Sequence, residues 1–139
     1  IDKYPFAALA DASDVGELTQ ARSNSSGACS STHAYTSGGQ IPTTTMRDTI
    51  DKFPFATDAS ATDVGNLTVA RRSPGGNQNG NKLNNTTGYA TGGQSSPSPN
   101  LRYDVIDSFP FAADGNSSDA GDIGTARAAV ASQSSDTHG

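Results

Sequence analysis

The sequence predicts an all-β protein built from repeats of one unit. A block of 22 residues occurs three times without a gap, at residues 1–22, 50–71 and 106–127. Within the blocks, short runs of alternating apolar and polar residues are separated by Gly, Asn, Asp and Ser, which is typical of strands joined by turns. No segment of ten residues has the apolar spacing of an amphipathic helix. Together these observations favour sheets over helices.

The repeated unit is about 50 residues long, because the copies begin 49 and 56 residues apart and a connector of variable length follows each block. The predicted units, each one repeat or blade, are residues 1–49, 50–105 and 106–139. The third is incomplete, since it stops before the Tyr and the Gly-Gly pair that follow in the other two copies.

The repeated block itself predicts two strands. Residues 49–56 alternate Ile and Phe with polar residues and contain a proline, as expected of a half-buried strand. Proline cannot donate to a strand ladder, so Pro5, Pro54 and Pro110 are expected on an edge strand or at a bulge. A turn at Asp-Val-Gly then leads into a second predicted strand at residues 66–70.

The residues after the block predict the remaining strands. The run of Ser, Gly and Asn after each arginine is either a strand packed so tightly that only small side chains fit or a loop. A further strand is expected at residues 33–37 and 88–91, closed by Gly-Gly, where a positive φ costs little. The connectors 40–47 and 94–102 are expected to be exposed. Four short strands per unit of this length describe a propeller blade.

This order of residues resembles a degenerate kelch-type repeat: an arginine, a run of small residues, Tyr-x-x-Gly-Gly, a variable loop, and a strand with Asp and aromatic residues. The matching positions are Arg22, Tyr35, Gly38 and Gly39 in the first copy and Arg71, Tyr89, Gly92 and Gly93 in the second, followed by the strands at Ile50–Phe55 and Ile106–Phe111. Arg127 is the arginine that recurs in the third copy. The chain departs from kelch repeats in lacking the tryptophan of the outer strand and the apolar strand after the arginine.

The sequence IDKFPFATDASATDVGNLTVAR, followed by a polar run and GYATGG, also resembles tandem repeats of predicted structural proteins of aquatic bacteriophages, cyanophages among them. This resemblance covers nearly the whole chain. It implies a component of a virion or an extracellular fibre, and it supplies no catalytic residue that could be transferred to this sequence.

A repeat of this type is expected to need partners, because a blade buries its faces only against neighbouring blades. Three blades do not close a ring that normally has roughly four to eight. The expected partners are therefore copies of the chain itself, two of which would supply six blades, or other structural proteins of the particle. A strand from elsewhere could complete the third unit. The sequence suits a portion of a longer polypeptide equally well.

Composition excludes other classes of protein. Leu, Ile, Val and Phe number 20, whereas Ser, Thr, Gly and Asn number 57, which excludes a helical bundle. A net charge of −5 argues against a nucleic-acid partner. No stretch approaches the roughly 18 apolar residues of a membrane-spanning helix, so no membrane insertion is expected. With Cys29 as the single cysteine, neither an internal disulfide nor a thiolate zinc site is available.

The turns of the repeated block are candidates for calcium loops, because oxygen-bearing side chains recur at alternate positions. The candidate ligands are Asp58, Ser60, Thr62 and Asn66 in the second copy and Asp114, Asn116, Ser118 and Asp122 in the third. The first copy has Leu9 at the leading position. Ordinary Asx turns are the favoured interpretation, so no metal and no cofactor is predicted, with calcium as the alternative.

The recurring arginines and the histidines are expected to have structural roles. The arginines recur in every unit, which favours contacts with backbone carbonyls of adjacent blades or with aromatic rings over an anion site. His33 and His138 are equivalent, but Thr87 stands between them in the second copy, which excludes a threefold metal site. No nucleophile, zinc-protease or phosphate-loop motif is present, so the chain is not expected to be an enzyme.

The predicted function is therefore that of a non-enzymatic structural or interaction protein. It would be a virion component, in a tail, a fibre or a capsid decoration, or part of an extracellular fibre, and its location would be the virion or the extracellular space. The alternative is a propeller module that binds calcium or a host surface glycan during attachment. A glycosidase on a propeller is less favoured, because the acidic residues recur at turns and are not unique.

Overall fold

The structure, a computed structural model, describes residues 1–42, 45–79, 85–95, 99–135 and 137–139. The strands assigned in these ranges are β1 (Asp2–Lys3), β2 (Ser13–Asp14), β3 (Ser26–Cys29), β4 (His33–Ser37), β5 (Gln40–Ile41), β6 (Thr45–Met46), β7 (Thr49–Pro54), β8 (Thr62–Asn66), β9 (Gly75–Gln78), β10 (Thr87–Thr91), β11 (Val105–Pro110) and β12 (Ser118–Asp122). The described residues contain no helix, and the predicted all-β class is confirmed.

Two four-stranded antiparallel sheets form the body of the protein. The first sheet has the order β3-β4-β7-β8 and the second has the order β9-β10-β11-β12. The small hairpin β5-β6 lies in the connection between β4 and β7. Before the first sheet comes the N-terminal hairpin β1-β2, which pairs Asp2 with Asp14 in the register that pairs Asp51 with Asp63 in the first sheet. The N-terminal hairpin thus corresponds to the last two strands of a sheet.

The sheets are offset from the copies seen in the sequence. The first sheet runs from residue 26 to residue 66 and the second from residue 75 to residue 122, so each crosses a boundary between predicted units, at 49/50 or 105/106. Each sheet takes its first two strands from the end of one copy and its last two from the start of the next. The reason is that the tyrosine-bearing strands β4 and β10 pair with the Ile-Asp strand of the following copy.

Most of the individual strands follow the sequence pattern. The strand predicted at 33–37 is β4, and the one predicted at 88–91 is β10 with one residue more. The strand predicted at 49–56 is β7, which ends at Pro54. The runs of small residues after Arg22 and Arg71, for which the sequence left strand and loop open, form β3 and β9.

Two details of the prediction are wrong. Residues 67–70 are not in a strand; the strand β8 ends at Asn66, begins four residues earlier than predicted and includes the predicted turn. In addition, Pro54 and Pro110 end β7 and β11, which are inner strands and not edges. The pairing of β7 with β8 stops at Lys52, so the missing N–H of Pro54 costs no hydrogen bond to β8.

The core lies between the two sheets. Its buried apolar residues are Ala28, Tyr35, Ile50, Leu67, Ala90 and Phe109. The sheets approach most closely where the small-residue strands β3 and β9 meet. A Cβ atom at Gly76 would lie 2.8 Å from the backbone nitrogen of Gly27, so the glycine is required by this close approach. The small residues of β9 therefore serve the contact between sheets.

Candidate functional site

Two buried ion pairs occupy equivalent places in the two sheets. Arg22 lies 3.0 Å from Asp51, and Arg71 lies 2.6 Å from Asp107, and all four side chains are fully buried. Each guanidinium also donates a hydrogen bond of 3.0 Å to a carbonyl of the second strand, that of Thr36 or Ala90. The arginine that precedes a sheet is thereby joined to the second and third strands of that sheet.

The carboxylate of each pair also holds the connection that leads into the sheet. Asp51 accepts a hydrogen bond of 3.0 Å from the backbone N–H of Thr19, and Asp107 accepts one of 3.2 Å from that of Thr68. Burial lowers the pKa of the Arg22 guanidinium, and the adjacent carboxylate of Asp51 opposes this effect. These contacts stabilise the junction between one unit and the next.

The sequence predicted contacts of the arginines with carbonyls or aromatic rings and did not identify these aspartates as their partners. Arg71 does donate to the carbonyls of Val69 and Ala90, but both belong to its own predicted unit and not to an adjacent blade. The pattern that would have identified the partner is the aspartate that follows Ile at the start of every copy. Asp51 and Asp107 recur with the arginines, and an opposite charge is what a buried guanidinium requires.

The Gly-Gly pairs join the second strand of each sheet to the arginine that follows the sheet. The backbone N–H of Gly39 donates to the carbonyl of Arg71 at 2.9 Å, and that of Gly93 donates to the carbonyl of Arg127 at 2.8 Å. The predicted positive φ is confirmed, with φ of 65° at Gly38 and 61° at Gly92. The same arginine therefore contacts one sheet through its backbone and, in the case of Arg71, the next sheet through its side chain.

Tyr35 is the main aromatic contact from the first sheet to the second. Its ring stacks on Phe111 at 4.6 Å between centroids and lies 5.8 Å from Phe109, and its hydroxyl donates to the carbonyl of Phe111 at 3.3 Å. Burial raises the pKa of the Tyr35 hydroxyl above its ordinary value, and the carboxylate of Asp114 adds to this shift. The equivalent Tyr89, in the second sheet, is only partly buried.

The raised pKa of Tyr35 predicts a loss of stability in alkali. The unfolded chain releases this proton near pH 10, before the folded chain does, so stability is complete below about pH 10 and falls as the pH rises through the higher folded pKa. Tyr35→Phe should reduce this fall by up to about 1.4 kcal/mol per pH unit. Urea unfolding at a series of pH values would measure it, with pH 7 as the reference. An unchanged slope would contradict the prediction.

The candidate calcium ligands of the turns lie at the junctions between successive units. Lys3 is paired with Asp58, and Lys52 is paired with Asp114, so each leading carboxylate contacts a lysine of the preceding unit. The Ser60 hydroxyl accepts a hydrogen bond of 3.1 Å from the backbone N–H of Glu17. In the described part of the chain, no group of three or more His, Cys, Asp and Glu residues is placed to hold a metal ion.

The remaining candidate ligands are not gathered around one point. Asn116 accepts a hydrogen bond of 3.0 Å from the backbone N–H of Asn66, which repeats the contact made by Ser60. Thr62 lies at the start of β8, Ser118 contacts Ser108 across the β11-β12 pair at 3.2 Å, and Asp122 is exposed at the end of β12.

The two histidines make local contacts. His33 Nδ1 lies 2.8 Å from the hydroxyl of Thr32, and His138 Nδ1 lies 2.8 Å from the hydroxyl of Thr137. Each follows the same turn, in which a serine N–H donates to the carbonyl of the histidine. The histidines thus mark equivalent turns.

The residues equivalent to the buried arginines and aspartates in the first and third copies form no such ion pair among the described residues. Arg127 is exposed, and its Nε donates to the carbonyl of Thr125; among the described residues it faces no carboxylate. Asp2, the equivalent of Asp51 and Asp107, is exposed in β1. In the first sheet, Phe53 and Phe55 have the positions that Phe109 and Phe111 have in the second. They border a cleft of about 230 Å³ together with Tyr4 and Phe6.

The chain matches no protein-family model, and a search of the curated proteins finds no match. Over the residues that the structure describes, no helix has the length and hydropathy needed to cross a membrane.

Proposed function

We propose that this chain is a non-enzymatic structural protein whose kelch-like units assemble into a virion part, such as a tail, a fibre or a capsid decoration, or into an extracellular fibre. On this proposal, the first and second sheets are consecutive blades of a propeller. The N-terminal hairpin and residues 127–139 belong to further blades. The role of the protein is geometric, since each unit supplies a surface on which the next unit packs.

The observation that carries this proposal is where the recurring polar residues lie. Arginine, aspartate and the Gly-Gly pair recur in register, and their side chains and backbone groups contact one another within and between successive units. A binding or catalytic site normally gathers different residues around an accessible space. Here Arg22 and Arg71 are each buried with an aspartate in equivalent positions, which supports a role in holding units together.

The way in which the two sheets pack against each other supports their proposed arrangement as propeller blades. The small-residue strands β3 and β9 approach each other at Gly27 and Gly76, while the outer strand β8 contacts the turn at Gly115 of the next sheet. Contact along both the inner and the outer strands is what face-to-face packing of blades requires.

The location is testable with antibodies raised against the chain. We expect immunogold labelling of particles or fibres in the extracellular fraction of a culture that expresses the gene, at regular intervals along the particle. Preimmune serum provides the control. Labelling confined to the cell interior, with no labelled particle, would contradict the proposal.

Titration with calcium separates the structural role from the alternative, a calcium- or glycan-binding attachment module. The leading carboxylates Asp58 and Asp114 already contact lysines, so we expect no saturable heat with CaCl₂ and no shift in melting temperature. A saturable heat that disappears in Asp58→Asn/Asp114→Asn but persists in Glu17→Gln would favour the alternative. Binding to a glycan array would favour it as well.

A further inference from the structure

We propose that Arg72, Gln94 and Arg102 form a binding site for a fully deprotonated oxyanion, either a free sulfate ion or a sulfate ester. We call these three residues the connector site, because they lie where the connector between β10 and β11 begins and ends. The proposal goes beyond the structural function and does not depend on it. It follows from the backbone pairing of three segments, from the partners of the two arginines and from the differences between the copies.

The backbone holds the three residues of the connector site side by side. Arg72 and Gln94 exchange both of their backbone hydrogen bonds, at 3.0 and 2.9 Å, and Gln94 in turn forms an antiparallel β-bridge with Arg102. Residues directly opposite each other in antiparallel segments project from the same face. The two arginines therefore flank Gln94 on one face. Two strand spacings, about 10 Å, separate their backbones, which two long side chains can span.

The guanidinium of Arg72 is half-buried, and neutral groups alone hold it. Its Nη1 donates to Oε1 of Gln40 at 3.1 Å. With the amide of Gln94 turned so that its oxygen faces the guanidinium, that oxygen accepts from Nε at 2.8 Å and from Nη2 at 2.6 Å. These contacts use three of the five N–H donors of an arginine and leave two for a ligand. Because the side chain is already fixed, binding costs less entropy.

The positive charge of the connector site has no carboxylate partner among the described residues. Arg22 and Arg71 pair with buried aspartates, whereas neither Arg72 nor Arg102 belongs to an ion pair in that part of the chain. Arg102 is exposed, and its side chain has no hydrogen-bond partner among those residues. A partly desolvated guanidinium without a counter-charge favours a bound anion. Two adjacent cations thus make a positive centre in a chain of net charge −5.

The two arginines of the connector site are not part of the repeat. Ser23 and Ala128 stand at the position of Arg72, and Met46 stands at the position of Arg102. A residue that the packing of every unit requires would recur, as the buried arginines and aspartates do. The charges present only in the second copy therefore have a role other than packing, and a site that gathers different residues at an accessible place is typical of ligand binding.

The donors of the connector site select the kind of anion. Arginine offers N–H donors and no acceptor, and the side-chain oxygens of Gln40 and Gln94 already accept from Arg72. A ligand whose oxygens all accept hydrogen bonds fits such a site, and sulfate is one. Phosphate near pH 6 carries O–H groups, for which these side chains supply no free acceptor. We therefore expect sulfate to bind more tightly than phosphate.

Titration of the isotope-labelled chain with sodium sulfate tests the site by nuclear magnetic resonance. The titration is done at pH 6, with sodium chloride holding the ionic strength constant. We expect saturable shifts of the backbone amide signals of Arg72, Gln94 and Arg102. No saturable shift is expected at Lys3, which pairs with Asp58 in the turn at the far end of β7. Sodium phosphate should give a dissociation constant roughly 3-fold to 10-fold higher.

Two substitutions separate binding from folding. Arg102→Gln removes an exposed charge and should raise the dissociation constant of sulfate by roughly 10-fold or more. Gln94→Glu keeps the size of the side chain but places a carboxylate between the two arginines, where it takes the place of the ligand. It should abolish the saturable shifts and leave the melting temperature unchanged or raised. Lys3→Gln is the matched control, because it removes the same charge at a remote residue, and it should bind sulfate as the wild type does.

Equal binding of sulfate by the wild type, Arg102→Gln and Gln94→Glu would overturn the proposal, and so would a wild-type chain without a saturable shift. The melting temperature of each variant in sodium chloride shows whether it is folded. Arg102→Gln alone decides the outcome if Gln94→Glu does not fold.

A second titration distinguishes the two sources of the sulfate group. A monosulfated glucose is compared with free sulfate at the same ionic strength, and glucose is the neutral control. Tighter binding of the sugar ester identifies a sulfate ester as the ligand, and equal or weaker binding identifies the free ion; either result supports the site. Glucose that binds as strongly as its ester would contradict an oxyanion site. None of these results changes the immunogold test, so the site and the proposed structural function fail or stand separately.

Discussion

Arg71→Met is expected to lower the free energy of unfolding by about 3–5 kcal/mol, because it leaves the buried carboxylate of Asp107 without its cation. The methionine retains most of the apolar stem, so the loss reports the charge and its hydrogen bonds more than the packing. Arg71 also donates to the carbonyls of Val69 and Ala90, which lose a donor in the same substitution. Urea unfolding at pH 7 would measure the change.

Arg127→Met is the matched control, since it makes the same change at the equivalent but exposed arginine. In dilute solution, where copies are separate, its effect should stay within about 0.5 kcal/mol. Asp107→Leu added to Arg71→Met should recover part of the lost stability, because it removes the unpaired buried charge. Equal losses in Arg71→Met and Arg127→Met would show that the buried pair has no special role.

Gly76→Ala is expected to cost about 1–3 kcal/mol, because the added methyl group would press on the backbone of the neighbouring sheet. The Cβ position lies 2.8 Å from the nitrogen of Gly27 and 2.9 Å from the Cβ of Ser26. Backbone atoms cannot turn aside as a flexible side chain can, so β3 and β9 would have to separate. Thermal unfolding would detect the loss as a lower melting temperature.

Gly27→Ala is the control for this effect, because Gly27 has the same place in β3 that Gly76 has in β9. Its Cβ position has one described neighbour within 4 Å, the carbonyl oxygen of Tyr35 at 3.9 Å. The substitution should therefore be neutral in dilute solution, or stabilising by up to about 1 kcal/mol through the unfolded state. A loss as large as that of Gly76→Ala would indicate that intrinsic strand propensity, and not the contact between sheets, requires glycine.

The strands that the sequence predicted correctly are those with local signals. Tyr35 among small residues followed by Gly-Gly marks β4, and the alternation around Phe53 marks β7. The segment 66–70 was mistaken for a strand because Leu67 and Val69 alternate with polar residues. Leu67 is buried although it lies in the connection after β8 and not in a strand, and alternation over five residues does not distinguish the two cases.

The sequence by itself determined the repeat, the all-β class and the positive φ of the Gly-Gly pairs, because these can be recognised from the pattern of residues along the chain. Only the tertiary structure decided that a sheet joins the end of one copy to the start of the next. It also decided that Arg22 and Arg71 meet aspartates 29 and 36 residues away. These partners depend on which strands become neighbours, and strand pairing between distant segments is set by the packing of whole sheets and not by local preference.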